Sequence, residues 1–286
     1  MPADLTREAT LPPVLEGVGV VFHAAHLSDS SIPWERLYRV NVLGTDHLLE
    51  AARRAGVSRV VSWSSCRVYG RSTGRGNPVE ENQPVRPREA LGRSRAMQDA
   101  VVWRHHDAGL AATVLRPSLL YGAGGPGDFA EFLLGLHRLP FVPVPVNRVR
   151  KVASVHVKDV VRAASFLALR EEAAGQEYNV SDEGRYSFSG FLRLLARALG
   201  KPTVPVLAPR ALVKAGCWLA AGISGGSAPA GRGGPGRGKE MVYDLVFDFV
   251  PSNSKIKALD FRFLFPDPGT GIPETVQELR REGYLK

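Results

Sequence analysis

Cysteine is nearly absent: Cys66 and Cys217 are the only two in 286 residues. They lack metal-like spacing and form no framework of bridges, so no metal is expected and a reducing cytoplasm is the default compartment. No uncharged apolar run reaches 18 residues, so no segment is expected to span a membrane. The opening residues MPADLTREATLPP have neither a basic flank nor an apolar core, and do not read as a secretion signal. Internal repeats are also missing.

With 44% hydrophobic and 23% charged residues, the composition is that of an ordinary globular chain, one large domain or one domain with an appended lobe. The net charge of +9 raises the question of nucleic acid. The excess is mostly scattered Arg in a chain also rich in Ala and Gly, which a coding bias produces without a binding surface. The densest basic stretch, GRGGPGRGK (231–239), carries three cations and no aromatic for base stacking. No nucleic-acid partner is expected.

GVGVVFHAA (17–25) is a continuous apolar stretch, the pattern of a strand buried on both faces of a parallel sheet. NVLGTDHLLEAARRAG (41–56) has apolar residues at helical spacing and Gly56 to stop it. SRVVSWSS (58–65) is a second buried strand, followed by a helix from about Pro87 to His106. AATVLRPSLLYG (111–122) is a third strand, ASVHVKDVVRAASFLALR (153–170) turns from extended to helical with Asp159 as its N-cap, and EYNVSD (177–182) is a short strand. Strands alternating with helices at this spacing mean α/β with a mainly parallel sheet. Past residue 183 the rhythm breaks. SFSGFLRLLARALGK (187–201) reads as a helix, and so does APRALVKAGCWLAAGI (208–223), whose short apolar part broken by Lys214 suits a packed lobe better than a membrane surface. SGGSAPAGRGGPGRGK (224–239) is low-complexity and expected to be a flexible loop, and IPETVQELRREGYLK closes the chain on a short polar helix.

The fragments VFHAA (21–25), NVLGT (41–45), SSCRVYG (64–70), LRPSLLYG (115–122), VHVKDVV (155–161) and YNVSD (178–182) stand in one order. That series resembles the extended short-chain dehydrogenase/reductase family, in its epimerase/dehydratase and 3-beta-hydroxysteroid dehydrogenase-like branch. The resemblance runs from about Ala3 to Asp182, more faintly beyond. It implies a Rossmann-type parallel sheet over 1–182 that binds NAD(P), and a smaller, mostly helical substrate lobe over 183–286. It implies a small-molecule substrate, and a homodimer is compatible with it. Its working parts are a Gly-rich turn after the first strand, a Ser/Thr, and a Tyr-x-x-x-Lys pair. The phenol exchanges a proton with the substrate oxygen, and a nearby cation brings it down from its ordinary pKa of about 10. Carried over by position, Ser65 matches the Ser that hydrogen-bonds the substrate oxygen. Ala24, Ala25 and Pro117 fall on cofactor-side positions, and Asp4 and Leu5 match an Asp-Leu beside the adenine.

Two departures stand against this. The pattern Pro-x-x-x-Tyr-Gly-x-Ser-Lys falls on Pro87, Leu91, Gly92, Ser94 and Arg95, with Asp99 at a usual acid. Leu91 cannot move a proton, and Arg95 keeps a cation that can reach a ribose hydroxyl but with a different fork. Tyr69 and Tyr121, in turns where the ring packs, and His105 and His106, on a helix end that reads as wet, are poor substitutes. The Gly-rich turn is also missing before VFHAA, as though the first βαβ unit, at least ~30 residues, lay upstream. Gly122, Gly124 and Gly127 satisfy G-x-G-x-x-G but fit a substrate-side loop, with no acid about 20 residues later. Without the missing strands GVGVVF is an exposed apolar edge, and NAD(P) binding is expected to be weak.

The function expected is therefore NAD(P)-dependent oxidoreductase or epimerase chemistry on a hydroxyl or keto group of a sterol-like or nucleotide-sugar substrate, impaired in this chain. The alternative is a non-catalytic family member acting as a binding or regulatory partner. Arg116, Arg148, Arg150 and Arg185 are candidates to hold a diphosphate, although solvated surface is the usual fate of Arg.

Overall fold

The computed structural model describes residues 2–29, 32–70, 78–123, 128–146, 151–206 and 250–285. The helix expected over 208–223, the loop expected over 224–239, Cys217, Gly124, Gly127, Arg148 and Arg150 lie outside the described residues. The strands, in chain order, are β1 (Val20–His23), β2 (Arg59–Trp63), β3 (Ala112–Pro117), β4 (Leu119–Tyr121), β5 (Val142–Pro145), β6 (Lys151–Val152), β7 (Ser154–His156), β8 (Gln176–Val180), β9 (Tyr186–Ser187) and β10 (Thr203–Val206). The helices are α1 (Pro12–Leu15), α2 (Trp34–Leu37), α3 (Gly44–Arg54), α4 (Ala90–Asp107), α5 (Asp128–Arg138), α6 (Val157–Ala168), α7 (Phe188–Leu199), α8 (Ser254–Lys257) and α9 (Pro268–Arg281). The chain forms two compact units. The first comprises Met1–Ser118, Val160–Val180 and Pro251–Phe261, and the second Leu119–Asp159, Ser181–Val250 and Arg262–Lys286.

The first unit is built on a four-stranded sheet in the order β1-β2-β3-β8, with every pair parallel. Its interior strands are rich in β-branched residues: Val60 and Val61 on β2 and Val114 on β3 are fully buried. On one face Val60, Ala112 and Val114 pack with Leu11 and Leu15, with Leu48, Leu49 and Ala52 of α3, and with Val101 and Val102 of α4. The helix α3 buries this stripe while Glu50, Arg53 and Arg54 pair on its outer surface. It ends at Gly56, where φ is +73°.

The strand β1, whose continuous apolar pattern is that of a strand buried on both faces, lies instead at the exposed edge expected of it without further strands. Val20 is 37% and Phe22 47% exposed, because β1 is the edge of the described sheet; Trp63 of β2 meets the Phe22 ring edge-on at 6.3 Å. AATVLRPSLLYG is also two strands rather than one. After Pro117, Ser118 N–H donates to Val180 O, and the chain then leaves the large sheet so that β4 pairs with β7.

Among its described residues the second unit contains three two-stranded pairs: β4 with β7 and β5 with β10 in parallel, and β6 with β9 antiparallel. Their apolar sides close on Phe132 and Leu133 of α5, Phe188, Phe191 and Leu195 of α7, and Ile272 and Leu279 of α9. Ser187 caps α7 by accepting from Gly190 N–H, and Gly200 ends it in the left-handed region. Asp159 does not cap α6. It lies inside the first turn, and its carboxylate accepts the backbone N–H groups of Leu264 and Phe265 at 2.6 and 2.8 Å.

Candidate functional site

Because the strands of the first unit run parallel, their C-terminal ends lie along one edge, where α/β sheets present ligand-binding residues. That edge carries Ala24 and Ala25 after β1, Ser64 and Ser65 after β2, and Pro117 at the end of β3. Ala24 and Ala25 are exposed and Ser65 is half-buried. Ser65 Oγ accepts from Arg67 N–H at 3.2 Å, capping a short turn over Cys66–Tyr69, and its own O–H is left to donate.

The helix α4 lies against this edge. Leu91, Arg95 and Asp99 follow one another at four-residue spacing on its buried side. Gly92 allows the close approach: a Cβ there would stand 3.0 Å from Arg67 O and 3.3 Å from Pro87 Cβ. Leu91, 3% exposed, presents only hydrocarbon at the position where the resemblance leads to the expectation of a phenol. Arg95 Nη1 donates to Gln98 Oε1 at 2.8 Å and to Trp63 O, at the end of β2, at 3.4 Å. Burial brings its guanidinium down to about 9, with Asp99 opposing, so it remains a cation at neutral pH. Burial also lowers His23 to about 4 and His26 well below the ordinary imidazole range, and the positive charge of Arg95 adds to both shifts. His26 Nδ1 is buried with no hydrogen-bond partner. Two neutral imidazoles therefore share this edge with the buried Arg95 cation.

Asn41 organises the approach, and the sequence reading missed its role. Its Oδ1 accepts Leu27 N–H at 2.7 Å, and its Nδ2 donates to Leu27 O and to Ser94 Oγ, both at 3.0 Å. One side chain thus ties the loop after β1 to α4. Thr45 completes the NVLGT segment by meeting His23 Nε2 at 2.8 Å. The signal was the recurrent fragment itself, but its partners are far away in sequence.

A second polar cluster crosses the same unit. Arg116 Nε donates to Asp99 Oδ2 at 3.1 Å and Nη1 to Tyr69 Oη at 2.9 Å, while Tyr69 O–H donates to Asn179 Oδ1 at 2.9 Å. Cys66 Sγ donates to Arg116 O, and Asn179 N–H to Glu81 Oε1. Burial raises the Asp99 carboxyl, with Arg116 pulling against it, and burial likewise raises the Tyr69 phenol. Arg116 is thus neither a diphosphate ligand on a pocket wall nor solvated surface; its fork is used within the protein. Arg185 is exposed.

None of the groups weighed as replacements for the phenol stands free at the edge. Tyr69 is held at both lone pair and proton. Tyr121, in the second unit, has its hydroxyl buried against Gly271, where a Cβ would lie 2.3 Å away. His105 is not on a wet helix end: it is 6% exposed and 2.7 Å from Asp46 Oδ1. His106 Nδ1–H donates to Leu110 O.

Ser65, expected to meet the substrate oxygen, shares the sheet edge with Ala24, Ala25 and Pro117, expected on the cofactor side, and Arg95 joins them through Trp63. Asp4 and Leu5 are placed elsewhere in the unit. Leu5 Cβ would be 2.8 Å from a Cβ on Gly44, and Leu5 O accepts from His47 Nδ1–H. The Asp4 carboxylate turns back to Thr6, whose N–H and O–H hold it below the usual carboxylate range. A dinucleotide also needs backbone N–H groups at a helix N-terminus for its pyrophosphate. Among the described residues, no strand of this sheet passes through a Gly-rich turn into a helix: β1 leads through a Gly-free stretch to α2, which continues without a break through a π-helical stretch into α3 (34–54). The described residues therefore fit one side of a dinucleotide and not its phosphates. Among them no cluster of three metal-ligating side chains exists, and no helix is long and apolar enough to cross a membrane.

Comparison with known proteins agrees with this fold. The chain is 31% identical over 218 residues to sterol demethylase protein B of Methylococcus capsulatus, covering 74% of this chain and 64% of that protein. It is 29% identical over 209 residues to the UDP-glucose 4-epimerase of Vibrio cholerae, covering 70% and 63%. The matches thus span less than two thirds of these relatives' own lengths. The UDP-glucose 4-epimerase of Thermotoga maritima, solved with UDP-glucose, superimposes with a TM-score of 0.75 at 21% identity, over 98% of this chain and 83% of that one, a likeness of fold. The NAD dependent epimerase/dehydratase family matches residues 1–181. With its parallel sheet, its α4 laid along the C-terminal edge and this match over more than half its length, the chain belongs to the NAD-dependent epimerase/dehydratase family.

Proposed function

We propose that this chain binds a sterol-like or nucleotide-sugar substrate at the sheet edge, with NAD(P) as a weakly held cofactor, and is impaired in the oxidoreductase or epimerase step on a hydroxyl or keto group. The observation that carries this reading is Leu91: buried hydrocarbon, one turn before a buried Arg95, where proton transfer needs an ionisable group. In this reading Ser65 donates to the substrate oxygen. Ala24, Ala25 and Pro117 border the cofactor, Arg95 meets a ribose hydroxyl, and Asp4 and Leu5 lie toward the adenine. The cofactor supplies hydride exchange when bound; this chain's own residues orient the substrate oxygen and leave its proton without an acceptor. The relatives named for sterol and for UDP-glucose support the two substrate classes equally.

The test is a titration of the 286-residue chain with NADH and NADPH, followed by nicotinamide fluorescence and melting temperature, and then turnover on hydroxysteroid and sugar-nucleotide panels. Weak binding and no turnover, with activity gained in the Leu91→Tyr/Arg95→Lys double variant, is the expected result. Micromolar binding with turnover by the unaltered chain would refute the reading. The second reading, a non-catalytic binding or regulatory member, is favoured by the exposed Val20 and Phe22 on the edge strand β1. It gains if the double variant binds cofactor and stays inactive on every substrate.

A further inference from the structure

In the second unit the segment 181–187 leads into α7 and is tethered to its surroundings, with Ser181 Oγ donating to Ser154 O at 3.5 Å. Asp182 N–H donates to Ser154 O at 2.7 Å, and Ser154 Oγ donates to Asp182 Oδ2 at 2.6 Å. Glu183 N–H donates to Pro266 O at 2.8 Å, and Tyr186 O–H to Asp267 Oδ1 at 2.8 Å. Tyr186 and Ser187 then form β9 against Val152 and Lys151 of β6. Between the tethers, Glu183 and Arg185 are exposed. Asp182 itself is 6% exposed, and its Oδ1 is buried with no hydrogen-bond partner.

We propose that Asp182 is a proton-operated latch, which in its neutral form closes the segment 181–187 onto β7 and in its ionised form releases it.

The surroundings decide the direction. Ser154 of β7 and the Gly184 N–H favour the carboxylate, but burial opposes it and outweighs them. Asp267, at the N-cap of α9, and Asp159, in the first turn of α6, add like charge. The remaining ionisable neighbours do not compensate. The Tyr121 phenol of β4 is itself raised by burial and by Asp182, and His156 of β7 is lowered by burial. Lys158 of α6 is paired with Glu278 of α9. Together these push the Asp182 carboxyl up to about 8. In the neutral acid Oδ2 keeps the Ser154 bond and no charge is buried. The carboxylate leaves a buried charge with too few donors, which moving the segment into water relieves.

The sign follows by linkage. The folded value lies above the ordinary carboxylate value of 3.8. The latch is therefore fully closed below that value, and closure weakens as pH rises toward 8. Opening should grow about tenfold per pH unit over that interval and level off above it.

Two measurements on the full chain test this. Carbon-detected titration of the Asp182 carboxyl should give a midpoint above 7, and a midpoint below 7 overturns the proposal. Hydrogen exchange of residues 181–187, expressed as protection relative to the unstructured rate, should fall about a hundredfold between pH 6 and 8 in the native chain. In Asp182→Asn, an isostere of the neutral acid, protection should stay level. An equal fall in both proteins, or none in the native chain, overturns it. The carboxyl titration needs no variant, so a failure of Asp182→Asn to fold leaves the proposal open to refutation.

Discussion

Arg116 Nε stands 3.1 Å from Asp99 Oδ2, and both side chains are almost wholly excluded from water. The pair joins the end of β3 to α4 two turns beyond Leu91, and through Tyr69 it extends to Asn179 on β8. Its partners are all internal, so its role is to hold three elements of the sheet edge in register.

Breaking this pair should therefore cost far more than breaking a surface ion pair. Arg116→Met is expected to lower the unfolding free energy by about 3–5 kcal/mol, because it strands a buried carboxylate. Urea denaturation measures it. The double variant Arg116→Met/Asp99→Leu should recover most of the loss, and the single variant's penalty should shrink toward pH 4 as Asp99 takes up a proton. A penalty below 1 kcal/mol at pH 7 would mean that the pair is not buried as described.

Gly70 and Gly56 both have φ near +70° but differ in surroundings. A Cβ at Gly70 would fall 2.1 Å from Arg86 O, whereas at Gly56 it meets nothing within 4 Å. Gly56→Ala should cost only backbone strain, about 1–2 kcal/mol. Gly70→Ala adds a collision with backbone next to the Tyr69 cluster, and its melting temperature should drop distinctly further. Equal drops would argue against the close approach of the 66–70 turn to Arg86.

His23 carries a pH dependence of opposite sign to Asp182. Its folded value, about 4, lies below the ordinary 6.5. The stability it secures is thus fully present above 6.5 and is lost as pH falls toward 4, about 3 kcal/mol in all. The drop in stability between pH 7 and 4.5, measured by denaturant titration, should be smaller in His23→Gln. An unchanged drop would show that His23 can be charged in place.

Asn41→Ala should strand Leu27 N–H, Leu27 O and Ser94 Oγ together. The expected cost is about 1–3 kcal/mol. Faster hydrogen exchange should appear at Leu27 in particular. A cost spread evenly over the chain, with Leu27 still protected, would contradict the stapling role.

The regular elements that place the site were legible locally. Leu48, Leu49 and Ala52 fall on one side of α3, Phe188, Phe191, Leu192 and Leu195 on one side of α7, and Val60 and Val61 mark an interior strand. Each signal lies within a few residues of its consequence. The mismatch at Leu91 and Arg95 was equally visible, because helical spacing alone carries it. The division of AATVLRPSLLYG was not visible, since both halves are good strands and only the partner differs: β2 and β8 for one, β7 for the other.

Amino-acid order by itself determined the α/β alternation, the helix faces and the absence of an ionisable group at Leu91, because periodicity and residue type act over one or two turns. Tertiary structure alone decided how the polar residues are used. Asn41 finds Ser94 53 residues away, Asp159 finds Leu264 105 residues away, and Arg116 turns inward to Asp99 instead of outward to solvent. A buried polar group takes whatever partner the packed chain brings within about 3 Å, and that partner is set by the path of the whole backbone.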